Sequence, residues 1–199
     1  MARVGSVVVS KAMFNHWLAI AVAIRNPPAP GHAPARPAAP EPPSFAGCVA
    51  DHRAADPHGK LTAEQLESGC QREYADLEPR VLHLLIYRLW REGEARELGI
   101  TVNDQEAREA LTAELRRNYS KPGTAQRFLA ETGQTMSDLL FATKSDLLAR
   151  RLAQKAAEGL HGKAAAAAVK AFGIMMVKRW TSRTYCGPGF VVPGCKAGS

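Results

Sequence analysis

Helix signals follow one another along most of this chain after residue 44. Two capping pairs, Thr62 with Gln65 and Thr135 with Asp138, open segments whose apolar residues recur every three or four positions. Gly99 follows the end of one such segment, where a helix commonly terminates. Helices with one apolar stripe bury that stripe against each other. The sequence therefore predicts a mainly α fold.

The N-terminal segment has a different pattern. Val4–Val9 is β-branched and predicts a short strand, Ser10 is placed to cap a helix, and residues 11–24 form an amphipathic segment. The apolar run in this segment is short and interrupted for a secretory leader. We therefore expect a short strand and a folded helix over residues 1–25. If the protein is exported or anchored to a membrane, its leader is absent from this chain.

Proline divides the chain into segments. Residues 26–43 hold eight of the thirteen prolines and predict an extended, exposed loop. A helical body is expected over residues 44–160, and a C-terminal helix with a cysteine-bracketed tail over 163–199, packed on the same domain.

Three local features add detail to this division. Ser44 is expected to cap a short helix that ends near His52, and Pro79 to kink or split the long helix after it. In the tail, Phe190–Val192 is the only strand-like stretch. It is expected to pair with the strand at Val4–Val9.

The net charge of +7 is concentrated at the C-terminal end. Residues 144–199 contain ten Lys and Arg against two acids, a balance of +8, so the first 143 residues sum to −1. Such a segment can approach nucleic acid or anionic lipid, or can form a solvated helix face. Basic and aromatic residues do not alternate as in a nucleic-acid groove, so the solvated face is favoured and no nucleic-acid partner is expected.

The four cysteines fall into two local pairs, Cys48 with Cys70 and Cys186 with Cys195. Four cysteines allow three disulfide connectivities. Pairing of near neighbours would indicate an oxidising compartment outside the cytoplasm. Zinc binding is the alternative for the first pair, because His52 and His58 lie between its two thiols.

Catalytic motifs are absent from the sequence: it contains no G-x-S-x-G, H-E-x-x-H or G-x-G-x-x-G. Acidic residues such as Glu92, Glu94 and Glu97 lie beside Arg91 and Arg96, which is typical of a solvated ion-pair face. The sequence predicts no catalytic residue, no metal and no cofactor.

Residues 81–106 carry a family resemblance. The stretches VLHLLIYRLW and EARELGITVNDQE resemble the N-terminal chaperone domain of SurA and PrsA-type foldases, in which a long helix ends before a capped one. The segments FLAETGQT and VGSVVVSK are similar to further parts of that domain. The resemblance spans most of residues 2–158. It implies a SurA N-terminal-like helical domain.

The tail is similar to actinobacterial-type foldases, in which a Trp-bearing helix precedes a cysteine-bracketed GFVVP segment. Those relatives also carry a cysteine pair at the place of Cys48 and Cys70, which favours a disulfide over zinc. The chain departs from full-length foldases at residues 160–162. These residues join the helices directly where the relatives insert a parvulin isomerase domain, so the resemblance does not carry isomerase activity to this chain.

The resemblance implies an extracytoplasmic, ATP-independent chaperone or foldase-like module that binds unfolded or newly exported polypeptides and is not an enzyme. The alternatives are an isomerase relative that lacks the catalytic domain, and a basic-tailed structural or interaction protein. Large, adaptable apolar side chains are the expected client-binding residues. They are Trp17, Trp90, Phe172, Met175 and Met176.

Overall fold

The computed structural model describes residues 1–27, 38–56, 58–190 and 192–197. Within these ranges the chain forms seven helices and four short strands, which confirms the mainly α prediction. The Pro-rich stretch 28–37 lies outside the described residues. The strands are β1 (Ala2–Val4), β2 (Val7–Val9), β3 (Thr184–Cys186) and β4 (Lys196–Ala197). The helices are α1 (Lys11–Arg25), α2 (Ala46–Ala55), α3 (Ala63–Glu97), α4 (Asp104–Asn118), α5 (Thr124–Thr132), α6 (Met136–Ala156) and α7 (Gly162–Thr181).

The chain divides into two compact units that interleave along the sequence. The first unit comprises Met1–Val9, His83–Pro122 and Thr135–Ser199, and the second comprises Ser10–Leu82 and Gly123–Gln134. The first therefore holds the sheet, the C-terminal part of α3, and α4, α6 and α7. The second holds α1, α2, α5 and the N-terminal part of α3.

The second unit is built on apolar side chains from α1, α2 and α3. Six residues of α1 are buried and lie around most of the helix, and α2 contributes Cys48 next to the buried Phe45. Tyr74 packs on this cluster, its ring in a T-shaped arrangement with that of Phe45. The buried apolar side chains of this unit include Phe14, Trp17, Leu18, Ile20, Val22, Phe45, Cys48, Leu66, Cys70, Leu77, Val81 and Leu82.

The sheet of the first unit joins the two ends of the chain in the order β2-β1-β3-β4. β1 and β2 form an antiparallel hairpin that turns at Gly5, whose φ of 56° lies in the left-handed region. β1 also pairs antiparallel with β3, placing Ala2 opposite Cys186. β4 adds a parallel edge.

The predicted strand pairing is therefore corrected in two respects. Val4–Val9 is a hairpin and not one strand, because Gly5 allows a tight turn. The C-terminal partner is Thr184–Cys186 and not Phe190–Val192. Gly187, Pro188 and Gly189 end the strand, Phe190 and Val192 adopt no strand conformation, and Val191 lies outside the described residues.

Most predicted helix boundaries are confirmed by hydrogen bonds. Ser10 Oγ accepts from the Met13 N–H at 3.1 Å, and Asn103 Oδ1 accepts from the Glu106 N–H at 2.9 Å. After α3, the Ile100 N–H reaches the Ala95 carbonyl at 2.8 Å across Gly99, whose φ is 66°. Two capping boxes are also formed as predicted: Thr62 with Gln65, and Thr135 with Asp138.

Two helix predictions are corrected, the start of α2 and a split at Pro79. α2 begins after Phe45, in the left-handed region at φ 51°, and not after Ser44. Burial of the Phe45 ring against the cysteine pair accompanies this conformation. Pro79 lies inside α3 and does not split it. Buried Leu77 and Val81 flank the proline, so core packing on both sides favours continuation of the helix.

Candidate functional site

Three of the five predicted client-binding side chains are core residues. Trp17 and Met176 are buried, and Trp90 is 1 % exposed. The Trp90 indole N–H donates to Thr184 Oγ1 at 2.7 Å, and Gly194 lies so close to its ring that an added Cβ would be 2.5 Å from Cη2. These contacts occupy both the polar and the apolar parts of the indole. The prediction that these three residues are free apolar surface is therefore wrong.

The other two predicted residues keep accessible surface, and both lie on α7. Met175 is 59 % exposed and Phe172 is half-buried. Ile174, which was not among the predicted residues, is 62 % exposed, and Val177 is also exposed. Isoleucine and methionine at this exposure are side chains that the fold of the first unit leaves unpacked.

Five of the exposed apolar residues of α7 share one face of the helix, and the exposed Val177 lies outside it. Helical spacing places these five along one side of the helix, with Ile174 and Met175 adjacent at its C-terminal end and the exposed Lys170 at its edge. We call this row the α7 face; it consists of Ala164, Ala167, Ala171, Ile174 and Met175. Exposed lysines flank it at Lys163, Lys170 and Lys178. The surface can receive an extended apolar segment and attract acidic groups beside it.

A buried polar network holds the C-terminal end of α7. Glu94 on α3 is 2 % exposed, and its carboxylate accepts from Trp180 Nε1 at 2.7 Å and from Arg179 Nη1 at 2.9 Å. Glu94 is therefore not part of a solvated ion-pair face, as its neighbours in sequence suggested. The sequence feature that could have indicated this contact is Gly93. Because glycine has no side chain, the Trp180 ring can lie against α3 at this position.

A groove of about 510 Å³ lies elsewhere in the first unit, between α3, the 100–102 loop and α6. Ala95, Ile100, Val102, Phe141 and Leu148 supply its apolar wall. Cationic side chains stand at its margin, and the Arg88 guanidinium lies 5.3 Å from the centroid of the Phe141 ring.

Electrostatics at this margin follow from burial and pairing. Burial lowers the pKa of Arg88, with Arg91 adding to that effect and Asp146 opposing it. Lys144 donates a hydrogen bond to Asp104 and holds the pKa of that carboxyl below its ordinary value. The groove therefore combines an apolar lining with a margin where Arg96 and Lys144 are ion-paired with Glu92 and Asp104.

The basic C-terminal segment is partly neutralised in the folded chain. Within the described residues, five of its ten cations form ion pairs: Lys144 with Asp104, Arg151 with Glu106, Lys155 with Glu158, Arg179 with Glu94, and Arg183 with Glu97. Four of these acids lie outside residues 144–199. The charge imbalance along the sequence is therefore reduced by contacts across the first unit.

Both predicted disulfides are confirmed, Cys48–Cys70 and Cys186–Cys195. The first lies in the second unit with both residues buried, and the second brackets the turn between β3 and β4. Of the two histidines considered as zinc ligands, His52 lies beside the disulfide, whereas His58 is exposed and outside that cluster.

None of the described helices combines the length and apolar character required to span a bilayer.

Comparison with known proteins gives no match: no protein-family model fits the chain, and neither a curated protein nor a solved structure is significantly similar to it. Membership of the SurA and PrsA domain family stays a prediction from the residues quoted above.

Proposed function

We propose that this chain is an ATP-independent chaperone-like module that binds unfolded or newly exported polypeptides outside the cytoplasm. The observation that carries the proposal is the α7 face, where Ile174 and Met175 remain more than half exposed. A row of apolar side chains on a helix whose other side is packed is typical of an interaction surface.

The chemistry of the α7 face favours an unfolded chain as its occupant. Met175 has a flexible thioether that adapts to varied apolar partners, and the small alanines of the row leave room for bulky client side chains. The flanking lysines favour segments in which acidic residues accompany the apolar ones. The groove beside Phe141 offers a second apolar surface.

The extracytoplasmic location rests on the two disulfides, because paired cysteines persist in oxidising compartments. Trapping of thiols with an alkylating reagent during cell lysis tests the location. We expect no free thiols in the isolated protein, and four alkylated cysteines would contradict the assignment.

The decisive experiment measures how the purified, oxidised full chain affects aggregation of chemically denatured citrate synthase, followed by light scattering. We expect suppression without ATP. The double variant Ile174→Ser/Met175→Ser is expected to lose most of it. The matched control is Met136→Ser, which replaces an exposed methionine of α6 outside the α7 face. Absence of suppression at several-fold molar excess would overturn the proposal.

Self-association is the competing use of the α7 face. Light scattering of the wild-type chain and the double variant separates the two uses. A stable wild-type dimer that the double variant abolishes, with aggregation suppression unchanged, would assign this face to a second copy of the chain instead of a client.

The remaining alternatives have tests of their own. We expect no acceleration of Xaa-Pro isomerisation in a protease-coupled peptide assay, and turnover there would indicate an enzyme. For nucleic acid, fluorescence anisotropy with labelled duplex DNA is expected to show no binding at physiological salt. The ion pairing of half the basic segment supports this expectation.

A further inference from the structure

Four potential metal-ligating side chains converge in the second unit. The ligand atoms of Cys48, His52 and Cys70 all lie within 4.8 Å of one another. Both sulfurs belong to buried residues, and His52 is half-exposed. The cluster therefore has a protected interior and one side open to solvent.

Glu73 completes the set, although no sequence pattern pointed to it. Its Oε2 lies 3.9 Å from Cys48 Sγ and 3.7 Å from His52 Nε2. The other carboxylate oxygen, Oε1, accepts a hydrogen bond from Asn26 Nδ2 at 2.8 Å. Because Asn26 occupies Oε1 and Glu73 is only 9 % exposed, Oε2 is held facing Cys48 and His52.

Helix geometry explains the convergence. Cys48 and His52 are four residues apart on α2, and Cys70 and Glu73 are three apart on α3, so each helix presents two donors on one face. Two thiolates, one imidazole and one carboxylate are a donor set that tetrahedral Zn²⁺ accepts. In the oxidised chain the two sulfurs bond to each other and supply no thiolate.

We propose that reduction of Cys48–Cys70 converts this cluster into a zinc site formed by Cys48, Cys70, His52 and Glu73. A dithiol reductant gives two electrons and two protons to the disulfide, which yields two thiols and the cyclic disulfide of the reductant. Zn²⁺ then displaces the two thiol protons and binds both sulfurs as thiolates. The disulfide and the metal are alternative occupants of one position, and reduction of the disulfide opens that position to the metal.

Cobalt(II) absorption tests the proposal on the full chain, reduced with tris(carboxyethyl)phosphine. We expect one cobalt per chain, with the thiolate charge-transfer band and the intense visible bands of tetrahedral cobalt, both removed by adding Zn²⁺. Before reduction, neither feature is expected. Cys70→Ser should abolish the spectrum, whereas Cys195→Ser, in the other disulfide, should leave it unchanged.

The contributions of His52 and Glu73 to metal binding can be tested against a matched control variant. His52→Ala and Glu73→Gln are each expected to weaken cobalt affinity about tenfold or more. His58→Ala removes an exposed histidine outside the cluster and is expected to have no effect. Equal affinity in all three variants would overturn the assignment of these ligands.

Circular dichroism of the reduced chain shows whether reduction of the disulfides unfolds the protein. If reduction lowers the helix content, Zn²⁺ is expected to restore it, because metal binding would then be coupled to folding. A reduced chain that stays helical without binding cobalt, or one that unfolds without rescue by Zn²⁺, would overturn the proposal. The aggregation assay uses the oxidised chain, so its result is independent of this one.

Discussion

The indole N–H of Trp180 donates a 2.7 Å hydrogen bond to the buried carboxylate of Glu94. The same carboxylate accepts from Arg179, which gives Glu94 a cationic partner while Trp180 covers it with an apolar ring. A charge at 2 % exposure is tolerated only when it is paired and hydrogen-bonded. This contact fixes the end of α7, which carries the proposed client-binding face.

Removal of either hydrogen-bonding partner should therefore destabilise the fold. Trp180→Phe leaves Glu94 with one donor fewer, and Glu94→Ala leaves the indole N–H without its acceptor. Each is expected to lower the free energy of unfolding by about 1.5–3 kcal/mol, measured by urea denaturation. Glu92→Ala, which removes an exposed ion pair with Arg96, should cost less than about 1 kcal/mol. Similar losses in all three variants would contradict the special role of Glu94.

Gly93 should not tolerate a methyl group. A Cβ at this position would lie 2.2 Å from Trp180 Cη2 and 2.5 Å from Cζ2, so the ring would have to move. Gly93→Ala is expected to cost about 1–3 kcal/mol or more, by overpacking.

The same helix supplies the control for Gly93. Among the described residues, nothing lies within 4 Å of the position that a Cβ would occupy at Gly69, and Gly69→Ala should stabilise the chain by about 0.5–1 kcal/mol through helix propensity. Thermal unfolding of the two variants should therefore shift Tm in opposite directions. A stabilising Gly93→Ala would show that Trp180 does not pack there.

The two disulfides should contribute unequally to stability. Cys48–Cys70 has a sequence separation of 22 and Cys186–Cys195 a separation of 9. Chain entropy predicts losses of about 3.4 and about 2.6 kcal/mol when each pair is replaced by serine. Urea denaturation in the presence of a chelator measures both losses without interference from metal. A larger loss for the shorter loop would contradict the entropic account.

Glu78 should make stability depend on pH. Burial raises the pKa of its carboxyl, and Oε1 finds no hydrogen-bond partner within the described part of the chain. A carboxyl whose pKa rises on folding stabilises the fold below its unfolded value of about 4.3, and that contribution is lost as pH rises through the folded value.

Glu78→Gln is therefore expected to be more stable than the wild type at neutral pH, with the advantage vanishing below about pH 4.3. Urea denaturation at several pH values measures the difference. Glu114→Gln, on the exposed face of α4, provides the comparison and should show little change. A Glu78→Gln variant less stable than the wild type at neutral pH would contradict the prediction.

Local signals explain why many boundaries were predictable from sequence. The caps at Ser10, Asn103 and Thr135 depend on a side chain and a backbone N–H three residues away, and Gly99 ends α3 through contacts within one turn. Each disulfide likewise joins two cysteines that follow one another along the chain, at separations of 22 and 9 residues. These features involve a few adjacent residues, so the sequence contains most of the relevant information.

Features set by distant residues were not predictable in the same way. The partner of Glu94 is 86 positions away, and β3 pairs with the other end of the chain. The exposure of each apolar side chain on α7 depends on whether another element packs against it. Met176 is buried by such packing, whereas Met175 is exposed. Helical spacing places both on α7 but does not specify what packs against either.

The pairing of β1 with β3 also constrains the order of events during synthesis on a ribosome. The last stretch of the second unit ends at Gln134, so that unit can be complete while translation continues. The first unit contains residues from both ends of the chain. Its strand β1 cannot pair with β3 until residue 186 has emerged from the ribosome. In the nascent polypeptide, Ala2–Val4 therefore remains an unpaired edge on one side until Thr184–Cys186 has been synthesised.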